Sequence, residues 1–149
     1  MRQLILASAL AVLPLAAAAQ DDPVSQAIEA RQSFYTLLGA NMGALSAMAK
    51  GDMEYDEELV ARHAANIEAL TQYFVPMHFI EGSSNAEAEN TDALPAIWEN
   101  RDDFEAKFAA LGEAAAGASD AVRGGQGNIG PVLGQLGGAC KACHDDYRD

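Results

Sequence analysis

The sequence predicts an all-α fold, an antiparallel four-helix bundle, on three observations. Alanine is abundant and β-branched residues are sparse. No stretch of useful length alternates apolar and polar residues at the period of two that a half-buried strand requires. Helix-starting and helix-stopping residues divide the chain into four apolar-periodic stretches, joined by two short connections and one long one, the pattern of an antiparallel bundle. The same punctuation also allows a three-helix domain with a loosely packed C-terminal tail.

Ahead of these stretches, "MRQLILASALAVLPLAAAAQ" carries one early cation, Arg2, then an apolar run from Leu4 to Ala19 ending in small residues. An Ala-x-Ala pattern before Gln20 fits signal-peptidase cleavage, so residues 1–19 are read as a signal peptide. The run is short, broken by Pro14 and followed at once by Asp21 and Asp22, which argues against a membrane anchor. Export to the periplasm follows, with no membrane insertion after cleavage near Ala19/Gln20.

The first helix starts at Asp22-Pro23, a cap residue and a proline suited to the first turn, and runs to about Lys50, where Gly51 can end it. Ile28, Arg31, Tyr35, Leu38, Met42, Leu45 and Ala49 recur at steps of 3 and 4, the seam of a left-handed bundle. An arginine and a tyrosine on that stripe call for an explanation. The second helix begins near Asp56, turns Leu59, Ala64, Ile67, Leu70 and Phe74 inward, and stops at Pro76. "MHFIEGSSNAEAENTDAL" is a polar connection too long for a tight turn. The third helix runs from Pro95 through Trp98, Phe104, Phe108 and Leu111 into "GEAAAGASDAV", and "RGGQGNIG" breaks it. The fourth opens near Asn128 to Pro131, faces Val132, Leu133, Leu136, Cys140 and Cys143 inward, and ends with the chain.

Of 149 residues, a 19-residue leader leaves 130, enough for one cored domain, residues 20–149, with no internal repeat. Losing Arg2 with the leader leaves 8 Lys and Arg against 22 Asp and Glu, a net charge of −14. Such a surface repels nucleic acid and anionic lipid, so neither is a partner; a basic or neutral redox protein is compatible with it, and solubility alone also explains the acidity.

Both cysteines stand in "GGACKACHDDYRD". On a helix, Cys140 and Cys143 are three apart and His144 is four from Cys140, so the three side chains share one face. Inside the last helix, without a βαβ surround, this is a poor redox disulfide. Zinc needs four ligands, and His63 and His78 form no matching second pair. Covalent haem needs what is present: two thiols for two vinyl groups and an imidazole, His144, as axial iron ligand. One haem c per chain follows, and the exported location suits it. A haem-free thiol- or metal-binding helical protein is the alternative from another class.

A CxxCH motif on the last of four helices resembles the cytochrome c′ family. The resemblance spans nearly the whole mature chain and rests on "AIEARQSFY", "AKGDMEYD", "AIW" and "GGACKACHDDYR". It implies that Arg31 and Gln32 contact the haem edge and its propionates, that Thr91 and Asp92 form a second contacting pair, and that Arg148 lies beside the proximal His144. Independently, a haem in an apolar bundle brings two carboxylates that need a cation, and Arg31 is the cation on the first helix's seam.

The resemblance also places Tyr35 where the family sets a bulky non-ligating residue over the distal face, a position that low-spin relatives give to a ligating methionine. Ligation by a phenol requires loss of a proton in an apolar pocket, which is unfavourable. The expectation is five-coordinate high-spin iron that admits small diatomics such as nitric oxide or carbon monoxide, or passes single electrons, with no catalysis on an organic substrate. The plainer reading of Tyr35 is a core aromatic whose hydroxyl is hydrogen-bonded. "PMHFIEG" departs from the family's usual segment and adds Met77 and His78 near the haem; with Met42 these are the candidates for a sixth ligand, which would make a low-spin electron carrier. A homodimer would use the outer faces of the first two helices, where Phe34, Leu37 and Ala44 stand.

Overall fold

The computed structural model describes residues 22–149. The leader assigned to residues 1–19 lies outside the described residues.

Helix α1, Pro23–Lys50, begins where the Asp22 carboxylate accepts from the Ser25 amide at 3.4 Å and ends where Gly51 turns left-handed (φ 80°), its N–H reaching the carbonyls of Ala47 and Met48. Helix α2, Glu57–Thr71, is capped by Asp56, which accepts from the Leu59 amide at 2.9 Å, and carries Glu57 and Glu58 in its first turn where the helix dipole favours anions. After a 3₁₀ turn at Val75–His78 and an irregular connection come α3 (Ala96–Glu99), α4 (Arg101–Ala115) and α5 (Ala118–Ala121). A second 3₁₀ turn, Gln126–Asn128, leads into α6, Ile129–Tyr147.

The long helices α1, α2, α4 and α6 form a square, each packed on two neighbours. Adjacent helices run antiparallel: Asn41 of α1 meets His63 of α2, Gln126 at the entry to α6 holds the Met48 carbonyl at the exit of α1, and Tyr147 at the end of α6 reaches Asp103 at the start of α4. No strand forms among the described residues apart from a single antiparallel bridge between Ala93 and Arg148, which pins the connection to the C-terminus.

Three expectations are corrected. The third helical stretch is in three pieces. Asn100 leaves helical geometry between α3 and α4, and Gly117 adopts φ 76°, a conformation that lets the chain turn before α5. The Glu68 carboxylate then accepts from the Ser119 amide and hydroxyl at 2.9 and 3.1 Å, capping the restart. In α2 the inward face is Val60, Ala61, Ala64, Ile67 and Thr71, because positions 60, 64, 67 and 71 continue one helical face that Leu59 lies off, and the helix stops at Thr71 before reaching Phe74; Leu59 and Phe74 are exposed. On α1 the buried stripe is wider than one seam and includes Ala27, Phe34 and Met48, so Phe34 is withdrawn from any outer face.

The core has two parts. The larger packs Phe34, Leu38, Leu45, Ile67, Phe108, Leu111, Val132 and Leu136 between all four long helices. The smaller, Phe79, Ala93, Ile97, Phe104 and Tyr147, closes the other end of the bundle. Leu45 is fully buried in the first, so Leu45→Ala should destabilise the holoprotein by about 2–5 kcal/mol. Met53, 41% exposed in the loop that follows α1, should change stability by no more than about 0.5 kcal/mol when replaced by alanine; urea titrations of both variants measure the contrast.

Candidate functional site

A cavity of about 620 Å³ lies between the two cores, a size that suits a large organic ligand. Its walls come from α1, α4, α6 and the connection that the smaller core anchors. Arg31, Gln32, Tyr35, Thr91, Asp92, Cys140, Cys143, His144 and Arg148, all singled out from the sequence, line this one space although they span 118 positions of chain from Arg31 to Arg148 inclusive.

The α6 wall carries the sulfur. Cys140 and Cys143 are half-buried and unbridged. Burial raises both thiols above the ordinary value, Cys143 to about 11, against a smaller opposing effect of the Lys107 cation. Both are therefore protonated at neutral pH. His144 follows at once on the helix, largely exposed, and its pKa is lowered by partial desolvation and then by Arg148, which favours the neutral imidazole with a lone pair to give. Among the described residues no group of three His, Cys, Asp or Glu side chains converges as a metal-ligand set, which leaves the zinc alternative without ligands.

Across the cavity Arg31 is buried, at 3% exposure. It donates from Nη1 to the Ser83 hydroxyl at 2.8 Å and the His78 carbonyl at 3.3 Å, and from Nη2 to the Ser83 carbonyl and the Thr91 hydroxyl, each at 2.6 Å. Its guanidinium also stands 4.5 Å over the Phe79 ring. Every one of these acceptors is neutral, and among the described residues no carboxylate pairs with it. Desolvation lowers its pKa accordingly. Next to it, exposed Gln32 donates to the Asn90 carbonyl. Asp92 and Arg148 meet at 3.3 Å on the rim, and the Asp149 amide donates to the Asp92 carbonyl at 2.9 Å.

Tyr35 and Met42 line the cavity from α1. The Tyr35 ring stands edge-on to Phe34, at 5.1 Å and 86°, and burial raises its phenol pKa strongly. Contrary to the plainer reading, its hydroxyl has no hydrogen-bond partner among the described residues. The two candidates from the connection do not reach the space. Met77 is 57% exposed, and the His78 ring stacks on Tyr73 and bonds to its hydroxyl, facing away. The reason is local: the 3₁₀ turn at Val75–His78 buries Val75 and Pro76, which sends the next two side chains outward.

Sequence reasoning missed Phe79, Ile97, Phe104, Lys107 and Tyr147 on the walls. Tyr147 had a signal, since 140, 143 and 147 continue one helical face. Its phenol donates to Asp103 at 2.6 Å, and burial followed by that bond raises its pKa to about 12. Lys107 lies one turn from Asp103 and pairs with Asp146 at 2.9 Å. Phe79 comes from the irregular connection, where no periodicity exists to reveal it.

These features fit a haem: a large apolar slot, two free thiols on one helix face beside an imidazole, and a buried cation without a carboxylate of its own. A haem brings the missing carboxylates. Comparison with known proteins agrees. The sequence model of the cytochrome c′ family matches residues 26–148. A cytochrome c′ of Cereibacter sphaeroides is 39% identical over 148 residues, covering 99% of this chain and 98% of that protein. A cytochrome c-554 of the same organism is 38% identical over 144 residues, covering 96% and 94%. A solved cytochrome c′ from Rhodobacter Spheriodes superposes with a TM-score of 0.79 at 38% identity, covering 84% of this chain and 96% of that one.

The Arg31 network yields a test of the site's architecture. Arg31→Leu leaves the Ser83 and Thr91 oxygens without their donor, each charge-assisted bond contributing about 1.5–3 kcal/mol. Amide hydrogen exchange should show protection falling across residues 79–93 far more than in α2 or the upper half of α6.

Proposed function

The chain belongs to the cytochrome c′ family and carries the family's single covalently attached haem c, and on that premise we propose that it is a periplasmic high-spin haem protein that binds small diatomic ligands and passes single electrons. Cys140 and Cys143 are its tethers and His144 its one protein ligand to iron, leaving a position for nitric oxide or carbon monoxide. When bound, the haem supplies an iron that takes up one electron or one such ligand. Arg31 acts as a fixed positive charge toward the propionates, because four neutral oxygens already hold its guanidinium in place. Gln32, Thr91, Asp92 and Arg148 flank the same edge.

The observation that carries this reading is the wall above the cavity. Tyr35 closes it with a phenol that burial keeps protonated, and Met77 and His78 are turned away. A neutral phenol is a poor ligand, so the sixth position stays free of protein. The proposal assigns no catalysis on an organic substrate. A second reading rests on Met42, which does line the cavity: a thioether bond from it would give a low-spin electron carrier.

Export and cleavage before Gln20 belong to the same proposal; among the described residues no helix is long and apolar enough to cross a membrane. A homodimer through the outer face of α1 and α2 would use exposed Leu37, with Phe34 excluded by its burial.

Two measurements check these assignments. Intact mass of the exported protein should equal the chain from Gln20 plus one haem, and the Cys140→Ser/Cys143→Ser double variant should lose the haem increment. The reduced protein should show a broad visible spectrum without a sharp α band and should change on adding carbon monoxide. A sharp α band that carbon monoxide leaves untouched would select Met42 ligation instead, and Met42→Leu would then abolish it.

A further inference from the structure

Of the chain's four tyrosines, Tyr35 and Tyr147 line the cavity that fits the haem. A phenol becomes strongly acidic when it loses an electron, so it is oxidised readily only where a base can take its proton. Tyr35 has no such base: the groups that act on it are the Arg31 cation and the sulfurs of Cys140 and Cys143. Tyr147 does. It is buried, and its hydroxyl donates to the Asp103 carboxylate at 2.6 Å, the length of a charge-assisted bond. Trp98, the other oxidisable ring packed on the smaller core, buries an Nε1 donor that has no hydrogen-bond partner among the described residues, so its proton has no acceptor.

The two members of the Tyr147–Asp103 pair have different surroundings. The Tyr147 ring stands edge-on to Phe104, at 5.4 Å and 83°, in the cluster against which Cys143 packs. It therefore lies beside one of the two proposed tethers. Asp103 belongs to the first turn of α4, and its side chain is 58% exposed, so a proton placed on it exchanges with water. Lys107 flanks the carboxylate at 3.8 Å and pairs with Asp146 at 2.9 Å, tying this end of α4 to α6. At rest the phenol keeps its proton, since burial and then the bond to Asp103 raise its pKa to about 12. An electron can thus leave Tyr147 toward the cavity while its proton leaves toward solvent.

A single haem gives one electron on passing from ferrous to ferric, whereas hydrogen peroxide needs two to become water. One electron alone splits peroxide into hydroxide and a hydroxyl radical. Resting on the high-spin reading above, which leaves the iron open to a small oxidant, we propose that Tyr147 supplies the second electron when the ferrous protein meets hydrogen peroxide, its phenolic proton passing to Asp103. One electron comes from the ferrous haem and one from Tyr147, and two protons come from solvent. The O–O bond breaks and two waters leave. Ferric haem, a neutral Tyr147 phenoxyl radical and a protonated Asp103 remain. Peroxide is thereby removed without release of hydroxyl radical.

Tyr147→Phe keeps the ring and removes the oxidisable phenol, whereas Asp103→Asn keeps the phenol and removes the base. Asp103→Asn, at an exposed position, serves where loss of the buried hydroxyl prevents folding. Ferrous holoprotein freed of reductant is mixed with one equivalent of hydrogen peroxide and frozen for electron paramagnetic resonance. A tyrosyl radical is expected, narrowed when ring-deuterated tyrosine is incorporated, lost in Tyr147→Phe and diminished in Asp103→Asn. Spin trapping should detect hydroxyl radical from Tyr147→Phe but not from the natural protein. A signal that persists in Tyr147→Phe, or one insensitive to ring deuteration of tyrosine, as from Trp98, would overturn the inference. So would the absence of any radical from a protein that still forms a carbon monoxide adduct, a result that leaves the gas-binding reading intact. Absence of that adduct removes the high-spin reading and the inference together.

Discussion

A buried, always-charged guanidinium organises this molecule. Arg31 sits on the inner stripe of α1 at 3% exposure, where an arginine without partners would be prohibitively unfavourable. The chain resolves this by bringing the irregular connection between α2 and α3 down onto the bundle. The Ser83 hydroxyl and carbonyl, the His78 carbonyl and the Thr91 hydroxyl converge on the cation, and Phe79 lies beneath it. Most of that connection is polar and has no helical or strand ladder of its own, so these bonds define its path. Its path in turn creates the second core and the space between the two cores.

The cavity wall is continuous with the C-terminus. Leu94 donates to the Tyr147 carbonyl at 3.1 Å, Asp149 to the Asp92 carbonyl at 2.9 Å, and Asn85 to the Ala93 carbonyl at 2.8 Å. The end of α6, which holds the proposed tethers and iron ligand, is thereby tied to the segment that holds Arg31. The α6 wall of the cavity thus carries sulfur and imidazole, the α1 wall a cation and a phenol, and apolar side chains fill much of the rest. That polarity is what an amphiphilic planar cofactor with carboxylates at one edge requires. The acidic net charge plays no part in it, since the charged groups near the rim, Asp92 with Arg148 and Lys107 with Asp146, are paired with one another.

Much of the site was legible because it lies on helices. Cys140, Cys143 and His144 share a face through a spacing of three and four, and Arg31 and Tyr35 stand out as polar residues on an apolar seam of the same period. Tyr147 obeys that rule and was overlooked only because it lies beyond the motif. Leu59 stands one position off the buried face 60, 64, 67 and 71, and Phe74 lies beyond the last helical residue, so neither has the neighbours that a period read across the whole stretch implies. The break at Gly117 follows from a glycine that a long alanine-rich run disguised.

By itself, then, the sequence determined the helical period, the order of the four long helices and the alignment of thiols, imidazole, cation and phenol along two of them, because each of these depends on residues within a turn or two of one another. Whether Met77 and His78 would enter the cavity, whether Phe79 would wall it, and whether the Tyr35 hydroxyl would find a partner depended on the tertiary structure. The place of Phe79 depends on contacts between residues some 45 to 60 positions apart, above all on where a buried cation finds its oxygens, and that of Met77 and His78 on a 3₁₀ turn in a segment with no helical period to reveal it.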